Sequence, residues 1–190
     1  SCPVRTDVAS LTALPYSNAE FDALWSANAV EYLSSEEVST ALSEFRRVVR
    51  PGGLVGIKDT EAGLWSFAPG DPTVLWRMWK AASRISAPFR GSLHHTRTMR
   101  RRLERAGFVD VWQRGTVIEF WPPLQPVQRQ YMADILMTMA DLAERGGVPE
   151  ADLEFWRRQR DPVSLDHLSH DPDLFWCEGY FMTVGRVPGP

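Results

Sequence analysis

A strand, a helix and a second strand follow one another within about forty residues near the start of the chain. Phe21–Ala27 reads FDALWSA, a short apolar run that is typical of a strand buried on both faces. Ser34, with Glu37 three residues later, forms a capping box that predicts the start of a helix. Pro51-Gly52-Gly53 ends that helix, and the LVGI segment after it predicts a second buried strand. Because a helix that joins two parallel strands makes a right-handed crossover, this order predicts an α/β fold.

The rest of the chain continues with helices and strands. Asp71-Pro72 and Thr96 have the residue types that begin helices. The remaining predicted elements are a strand or bend from Phe108 to Trp121, a helix from about Val127 to Arg145, a helix after Pro149, and a closing strand from Leu174 to Val187. A chain of 190 residues suits one domain, and we interpret residues 122–173 as a helical insertion on its substrate side.

Composition excludes several classes of function. The formal net charge is -3 with acidic and basic residues dispersed, so nucleic acid and anionic membranes are not expected partners. Only Cys2 and Cys177 are present, outside any Cys/His cluster, which predicts neither a disulfide framework nor a metal site. No apolar stretch reaches the ~20 residues that a membrane-spanning helix needs. We therefore predict a cytoplasmic protein without a metal.

Four segments occur in the order and spacing of one known family. They are Asp7-Val8, then LPYSNAEFDALWSANAVEYL, then FRRVVRPGGLVGIKD, then LERAGF, and together they lie within roughly residues 5 to 115. In this the chain resembles class I S-adenosylmethionine-dependent methyltransferases and is similar to their small-molecule branch. The resemblance implies a Rossmann-like α/β fold with a mostly parallel sheet. It also implies that the cofactor S-adenosyl-L-methionine lies at the carboxyl ends of the central strands.

The resemblance assigns cofactor roles to five residues. Asp7 matches the carboxylate that accepts from the adenine amine, and Val8 matches its neighbour that packs on the ring. Ser26 and Ala27 match the end of the strand along the methionine portion, and Asn28 lies just beyond. These roles suit the residue types, since a carboxylate accepts from an exocyclic amine and small residues let a ligand approach the backbone. Read without the family, Asp7 is an ordinary turn residue and Ser26 to Asn28 a strand-to-helix connection.

One part of the family pattern is absent from this sequence. The glycine-rich loop and the following acidic residue, which hold the cofactor's methionine end and ribose, should precede Asp7, but only six residues do. The missing segment corresponds to roughly 50 to 60 residues, or two strand-helix units. Gly52-Gly53 cannot replace the loop, because it ends a helix rather than opening one. We therefore expect a carboxyl-terminal portion whose amino-terminal strands are missing, with an open edge at the strand that holds Ser26.

Catalytic candidates are Asp59 and His95. Asp59 follows the LVGI strand and should lie at the same edge as the cofactor, as a base or a substrate contact, although a turn-capping role is equally consistent with its position. His94-His95 offers imidazoles that titrate near neutral pH, or two solvated loop residues. Methyl transfer is a direct displacement that needs a base only when the acceptor must lose a proton.

Aromatic residues are abundant, with eight tryptophans in the chain. If the insertion folds over the cofactor edge, some of them would line an acceptor pocket for a flat or apolar small molecule. The residues that we select for this pocket are Trp65, Phe67, Trp121 and Tyr131.

Two sets of polar residues can each be interpreted in two ways. Arg97, Arg100, Arg101, Arg102 and Arg105 could contact a phosphate or form a solvated helix face, and the second is favoured. Asp166-His167 and His170-Asp171 fit solvated turns better than a metal site.

The sequence thus predicts methyl transfer from S-adenosyl-L-methionine to a small organic acceptor by an incomplete part of an enzyme. The alternatives are a non-catalytic Rossmann-like binding module and a nicotinamide-dependent oxidoreductase, which the PGG and AGF segments disfavour. The acceptor atom and the oligomeric state are not predicted.

Overall fold

The computed structural model of the chain describes residues 4–85 and 96–189. The strands are β1 (Phe21–Ala27), β2 (Val49–Thr60), β3 (Ser66–Ala68), β4 (Val109–Phe120) and β5 (Phe175–Arg186). The helices of at least two turns are α1 (Ser35–Val48), α2 (Thr73–Ile85), α3 (Met99–Arg105), α4 (Pro126–Gly146) and α5 (Glu150–Arg158). The alternation of strands and helices confirms the α/β class.

Strand β5 lies at the centre of a five-stranded sheet. Strands β2 and β3 both pair with it antiparallel, β2 between Tyr180 and Arg186 and β3 between Phe175 and Cys177, while β4 pairs antiparallel along almost its whole length. Strand β1 pairs in parallel with β2 alone among the described residues, so its other edge has no strand partner there. The open edge that the sequence predicts at the strand holding Ser26 is therefore present.

Two features of the sheet correct the sequence-based expectations. The sheet is mixed rather than mostly parallel, because β5 runs against each of its neighbours. Strand β1 has the predicted bounds but is not buried on both faces, since Trp25 is 57% exposed and Ser26 is the one buried residue in the strand. An edge strand is covered on fewer sides than a central one, which accounts for this exposure.

Helix α1 ends before the proline and glycines that the sequence predicts as its stop, and the strand after it starts earlier than expected. Helix α1 stops at Val48, and β2 includes the Pro51-Gly52-Gly53 segment, where the register between β1 and β2 shifts. Gly52 has a φ of 79°, which side chains other than glycine seldom adopt. The segment thus acts as an irregularity inside the strand, and the prediction that it ends the helix is wrong.

The helical segment 122–173 contributes to one of two hydrophobic clusters. Helices α4 and α5 pack with α2 around buried side chains such as Met132, Leu136 and Trp156. The second cluster joins α1, β1, β2 and α3 through Phe45, Ile57 and similar residues. No helix in the described ranges combines the length and apolar character that a bilayer crossing demands.

The capping box of α1 predicts a measurable loss of stability. Ser34 Oγ accepts from the Glu37 amide at 3.3 Å, and Glu37 Oε2 accepts from the Ser34 amide at 2.7 Å. Replacing Ser34→Ala removes the first bond, so we expect the free energy of unfolding to fall by about 1 kcal/mol. Urea unfolding measures this change.

The control is Ser39→Ala, at a mid-helix position of α1 where alanine has the higher helix propensity. This variant should match or slightly exceed the wild type in stability. An equal loss in both variants would show that the box does not contribute.

Candidate functional site

The carboxyl ends of β1 and β2 meet at one edge of the sheet. Their parallel register places Ser26 opposite Ile57 and Ala27 opposite Lys58. The pairing continues past the strand, where the Asn28 amide donates to the Lys58 carbonyl at 2.8 Å. The structure therefore brings Ser26, Ala27 and Asn28 next to the segment that carries Asp59.

Ser26 and Ala27 line an open apolar cleft beside β1. The cleft has a volume of about 440 Å³, and its other lining residues are Leu11, Leu14, Tyr16, Phe21, Ala23, Leu24, Trp25, Ala29, Phe45 and Val48. Ser26 Oγ is buried and has no hydrogen-bond partner in the part of the chain that the structure describes. A buried hydroxyl without a partner costs free energy, so it marks a place where a ligand could supply the missing hydrogen bond.

Asp7 and Val8 lie in an extended segment before β1. Asp7 accepts from the Tyr16 hydroxyl at 3.2 Å and forms an ion pair with Arg5 at 2.8 Å. Since Tyr16 lines the cleft, Asp7 lies one side chain away from it. Val8 is fully exposed and therefore packs on nothing within the described chain.

Asp59 is buried beside a second carboxylate that the sequence did not single out. Asp59 is 2% exposed and accepts from the Ala29 amide at 3.2 Å, while Glu31, 6% exposed, accepts from the Thr60 amide at 2.7 Å. Burial, followed by the charge of Glu31, raises the pKa of Asp59 from 3.8 to about 7. Burial likewise raises the pKa of Glu31. Asp59 can therefore take up or release a proton near neutral pH.

Glu31 could have been suspected from its surroundings. It stands in the run ANAVEYL, directly after the predicted strand, where a lone acid among apolar residues is a candidate for burial. Its approach to Asp59 depends on the pairing of β1 with β2, which a single sequence does not specify. The other catalytic candidate, His95, lies outside the described residues.

Lys58 connects this edge to the centre of the sheet. Its Nζ atom donates to Asn28 Oδ1 at 3.1 Å and lies 3.5 Å from the centre of the Tyr180 ring. Burial lowers the pKa of Lys58. The lysine thus bridges the end of β1 and strand β5 through one hydrogen bond and one cation–π contact.

Glu178 accepts hydrogen bonds from three side chains of β5 and α4. Trp176, Glu178 and Tyr180 alternate along β5 and so share one face of the sheet. Glu178 Oε1 accepts from Trp176 Nε1 at 2.7 Å, and Oε2 accepts from the hydroxyls of Tyr180 at 2.7 Å and Tyr131 at 2.6 Å. Burial and the Glu178 carboxylate raise the pKa of both tyrosines. Tyr131 of α4 is therefore linked through Glu178 and Tyr180 to Lys58.

The four aromatic residues selected for an acceptor pocket have different environments. Trp65 and Phe67 belong to the core: Trp65 makes an edge contact with Trp176, and Phe67 stacks on Phe155 with ring centres 5.3 Å apart. These two rings face the core, not an open pocket, because the short strand β3 and the turn before it pack against α2 and α5. Trp121 is 59% exposed, and Tyr131 is 37% exposed.

Among residues 166–171, His167 is buried and so differs from the solvated turns that the sequence suggests, whereas Asp166 and His170 are exposed as predicted. His167 is 1% exposed, its Nδ1 lies 2.7 Å from Ser169 Oγ, and burial lowers its pKa. His170 Nε2 lies 2.8 Å from the Pro162 carbonyl oxygen. In the described ranges no group of three or more His, Cys, Asp or Glu side chains could hold a metal ion.

Comparisons with known proteins show similarity to one family over part of the chain. Residues 2–57 match the family described as methyltransferase domain, a segment that holds β1, α1 and most of β2. A candidate methyltransferase from Bacillus halodurans superposes with a TM-score of 0.50 at 14% identity, over 95% of this chain and 70% of that one. A search of curated protein sequences found no match.

Two further solved structures are similar at lower scores. The YcgJ protein from Bacillus subtilis has a TM-score of 0.49 at 16% identity, over 95% of this chain and 70% of its own. Phosphoethanolamine N-methyltransferase 2 from Haemonchus contortus, solved with phosphomonomethylethanolamine and S-adenosylhomocysteine, has a TM-score of 0.46 at 10% identity, over 94% of this chain and 36% of its own. Similarity at such identities concerns the fold alone, and the Bacillus halodurans structure confirms the Rossmann-like methyltransferase fold.

The pKa of Asp59 predicts how stability depends on pH. The folded chain retains the Asp59 proton up to about pH 7, whereas the unfolded chain loses it near 3.8. Because the folded chain binds this proton more tightly, Asp59 contributes fully to stability below its pKa in the unfolded chain. The contribution is lost as the pH rises through its pKa in the folded chain. Asp59→Asn removes the titrating group and with it this loss, so the variant should be more stable than the wild type above pH 7, by at least about 1.4 kcal/mol.

Urea unfolding between about pH 5 and about pH 8 measures the effect. Asp22→Asn is the matched control, because the Asp22 side chain is 86% exposed. Parallel stability curves for the wild type and Asp59→Asn would contradict the assignment.

Loss of the Glu178 carboxylate should destabilise the fold strongly. Glu178→Ala leaves three donors without their acceptor, two of them on buried residues, so we expect a loss of roughly 3 kcal/mol or more. Glu178→Gln should lose less, since one amide oxygen still accepts. Thermal and urea unfolding report both changes.

Glu119→Ala serves as the reference, since exposed Glu119 accepts from Trp121 Nε1 at 3.3 Å. Its change should stay below about 0.5 kcal/mol. A loss of similar size at both glutamates would contradict a special role for Glu178.

Proposed function

We propose that this chain, whose residues 2–57 match the family described as methyltransferase domain, transfers the methyl group of S-adenosyl-L-methionine to a small organic acceptor. The observation that carries the proposal is the meeting of two features at one sheet edge. The apolar cleft with the unpartnered Ser26 hydroxyl lies at the end of β1, and Asp59, with its raised pKa, lies at the end of β2.

The residues of the cleft fit the cofactor in kind. Ser26 Oγ offers a donor and an acceptor, and Ala27 leaves space against the backbone. Asp7, joined to the cleft through Tyr16, would accept from the adenine amine. When bound, the cofactor would supply an electrophilic methyl group on a sulfonium. We assign to Ser26, Ala27, Asn28, Asp7 and Val8 the task of holding it.

Asp59 would handle the proton of the acceptor. With a pKa of about 7 it is ionised in part of the molecules at neutral pH and can accept a proton from an amine or hydroxyl that is being methylated. The negative charge of Glu31 helps to set this protonation equilibrium, because it contributes to the raised pKa of Asp59. We infer that Asp59 is the base, and that the acceptor is one that must lose a proton.

A small acceptor agrees with the charge and the surroundings of the site. The net charge of -3 disfavours nucleic acid and anionic membranes as partners. We propose that Tyr131 and Trp121, in and near α4, form the acceptor side, since Tyr131 is linked to Lys58 through Glu178 and Tyr180. The free buried thiol of Cys177 supports a reducing compartment such as the cytosol.

Titration calorimetry with S-adenosylhomocysteine tests the cofactor site. The wild-type chain should bind one equivalent, with low affinity because no glycine-rich loop opens a helix among the described residues. Ala27→Phe should weaken this binding by at least about tenfold, or about 1.4 kcal/mol, because the larger side chain fills the cleft. Asp7→Asn should weaken binding less, because an amide oxygen still accepts. A folded wild-type chain that does not bind would contradict the proposal.

Two variants control for unspecific effects. Ala151→Phe adds the same side chain at an exposed position of α5, and Asp22→Asn removes an exposed carboxylate outside the cleft. Both should bind as the wild type does. Binding without transfer of a labelled methyl group to any amine or hydroxyl acceptor would favour the non-catalytic binding module instead.

A further inference from the structure

A polar cleft separates helices α1 and α3. Its volume is about 570 Å³, larger than that of the cleft beside β1, and the two clefts share no lining residue. Leu42 and Ala106 lie among its lining residues, and the others are Ser35, Ser39, Ser43, Thr98, Arg101, Arg102 and Arg105. The proposed methyl transfer assigns no role to this cleft.

Three arginines give the cleft a concentrated positive charge. None of the described residues that line it is acidic. Within the described ranges, Arg101 and Arg105 form no hydrogen bond and no ion pair, and the neighbouring Glu104 is engaged by Arg100 at 3.0 Å. Two guanidinium groups four residues apart on one helix face thus have no counter-charge in residues 4–85 and 96–189, although the net charge of the whole chain is -3.

Arg102 is held in place at the wall of the cleft. It is half-buried, and its Nε donates to Thr98 Oγ1 at 3.2 Å while Nη2 donates to Ser35 Oγ at 3.4 Å. Burial, followed by the charge of Arg105, lowers the pKa of Arg102. The two cations therefore oppose each other, and an anion between them would relieve that repulsion.

The opposite wall is a row of short hydroxyl side chains. Ser35, Ser39 and Ser43 repeat every four residues and so lie along one face of α1. Ser39 and Ser43 donate back to carbonyl oxygens of α1 at 3.3 Å and 3.1 Å, so their hydroxyls need only rotate to donate to a ligand. Small serines leave open the volume into which the arginines project.

We propose that this cleft binds the phosphate group of a small phosphorylated molecule. A phosphate monoester carries close to two negative charges, and guanidinium forks pair with its oxygens through charge-assisted hydrogen bonds. The site lies between two helices, so it admits a compact ligand. The overall negative charge of the chain disfavours a nucleic-acid duplex or a membrane surface.

Titration of the full 190-residue chain with phenyl phosphate tests the proposal, with inorganic phosphate as a second probe. Calorimetry should show saturable binding of one equivalent of each, whereas phenol, which lacks the phosphate, should not bind. Arg101→Gln combined with Arg105→Gln should weaken phenyl phosphate binding by at least about tenfold. Both side chains are exposed, so the variant should fold, which circular dichroism verifies.

The matched control is Arg84→Gln combined with Arg145→Gln, which removes the same charge from exposed positions outside the cleft. This control should bind phenyl phosphate as the wild type does. The proposal is overturned if phenyl phosphate does not bind, if the two double variants lose affinity equally, or if only duplex RNA or phosphatidylserine vesicles bind. None of these outcomes depends on methyl transfer, because the assay contains no methyl donor.

Discussion

The backbone hydrogen bonding of β5 holds the structure together. Strands β2 and β3 pair with it on one side and β4 on the other, so the segments on either side of residues 86–95 meet in one sheet. Successive side chains of β5 point to opposite faces, and this alternation puts Trp176, Glu178 and Tyr180 together on one of them. The chemistry of the candidate site thus follows from the pairing of the last strand.

The parallel alignment of β1 and β2 accounts for the rest of the site. Two parallel strands in register end at the same edge, so Asn28 and Ala29, directly after β1, bond to Lys58 and Asp59 at the end of β2. The same alignment withdraws Asp59 and Glu31 from water, and among the described residues neither carboxylate forms an ion pair with a cation. Loss of hydration on burial is then the largest effect on the Asp59 carboxylate, and the pKa of Asp59 lies near neutrality instead of in the acidic range.

Local signals in the sequence predict the elements, and long-range contacts decide what the side chains do. The capping box at Ser34 and the apolar run Phe21–Ala27 place α1 and β1 correctly, because their causes lie within a few residues. The hydrogen bond of Tyr131 with Glu178 joins residues 47 positions apart, which no local pattern reveals. His167 fails for the same reason: its neighbours in sequence are typical of a turn, but the fold buries it.

The three hydrogen bonds of Glu178 have a consequence for access to the site. The hydroxyl of Tyr131 in helix α4 donates a hydrogen bond to the buried carboxylate of Glu178 in β5. If the helix moved away, the Glu178 carboxylate would stay buried but would lose this donor. Such a displacement costs on the order of several kcal/mol. Helix α4 is thus held firmly against the sheet, and a motion of this helix is an unfavourable way to open the site.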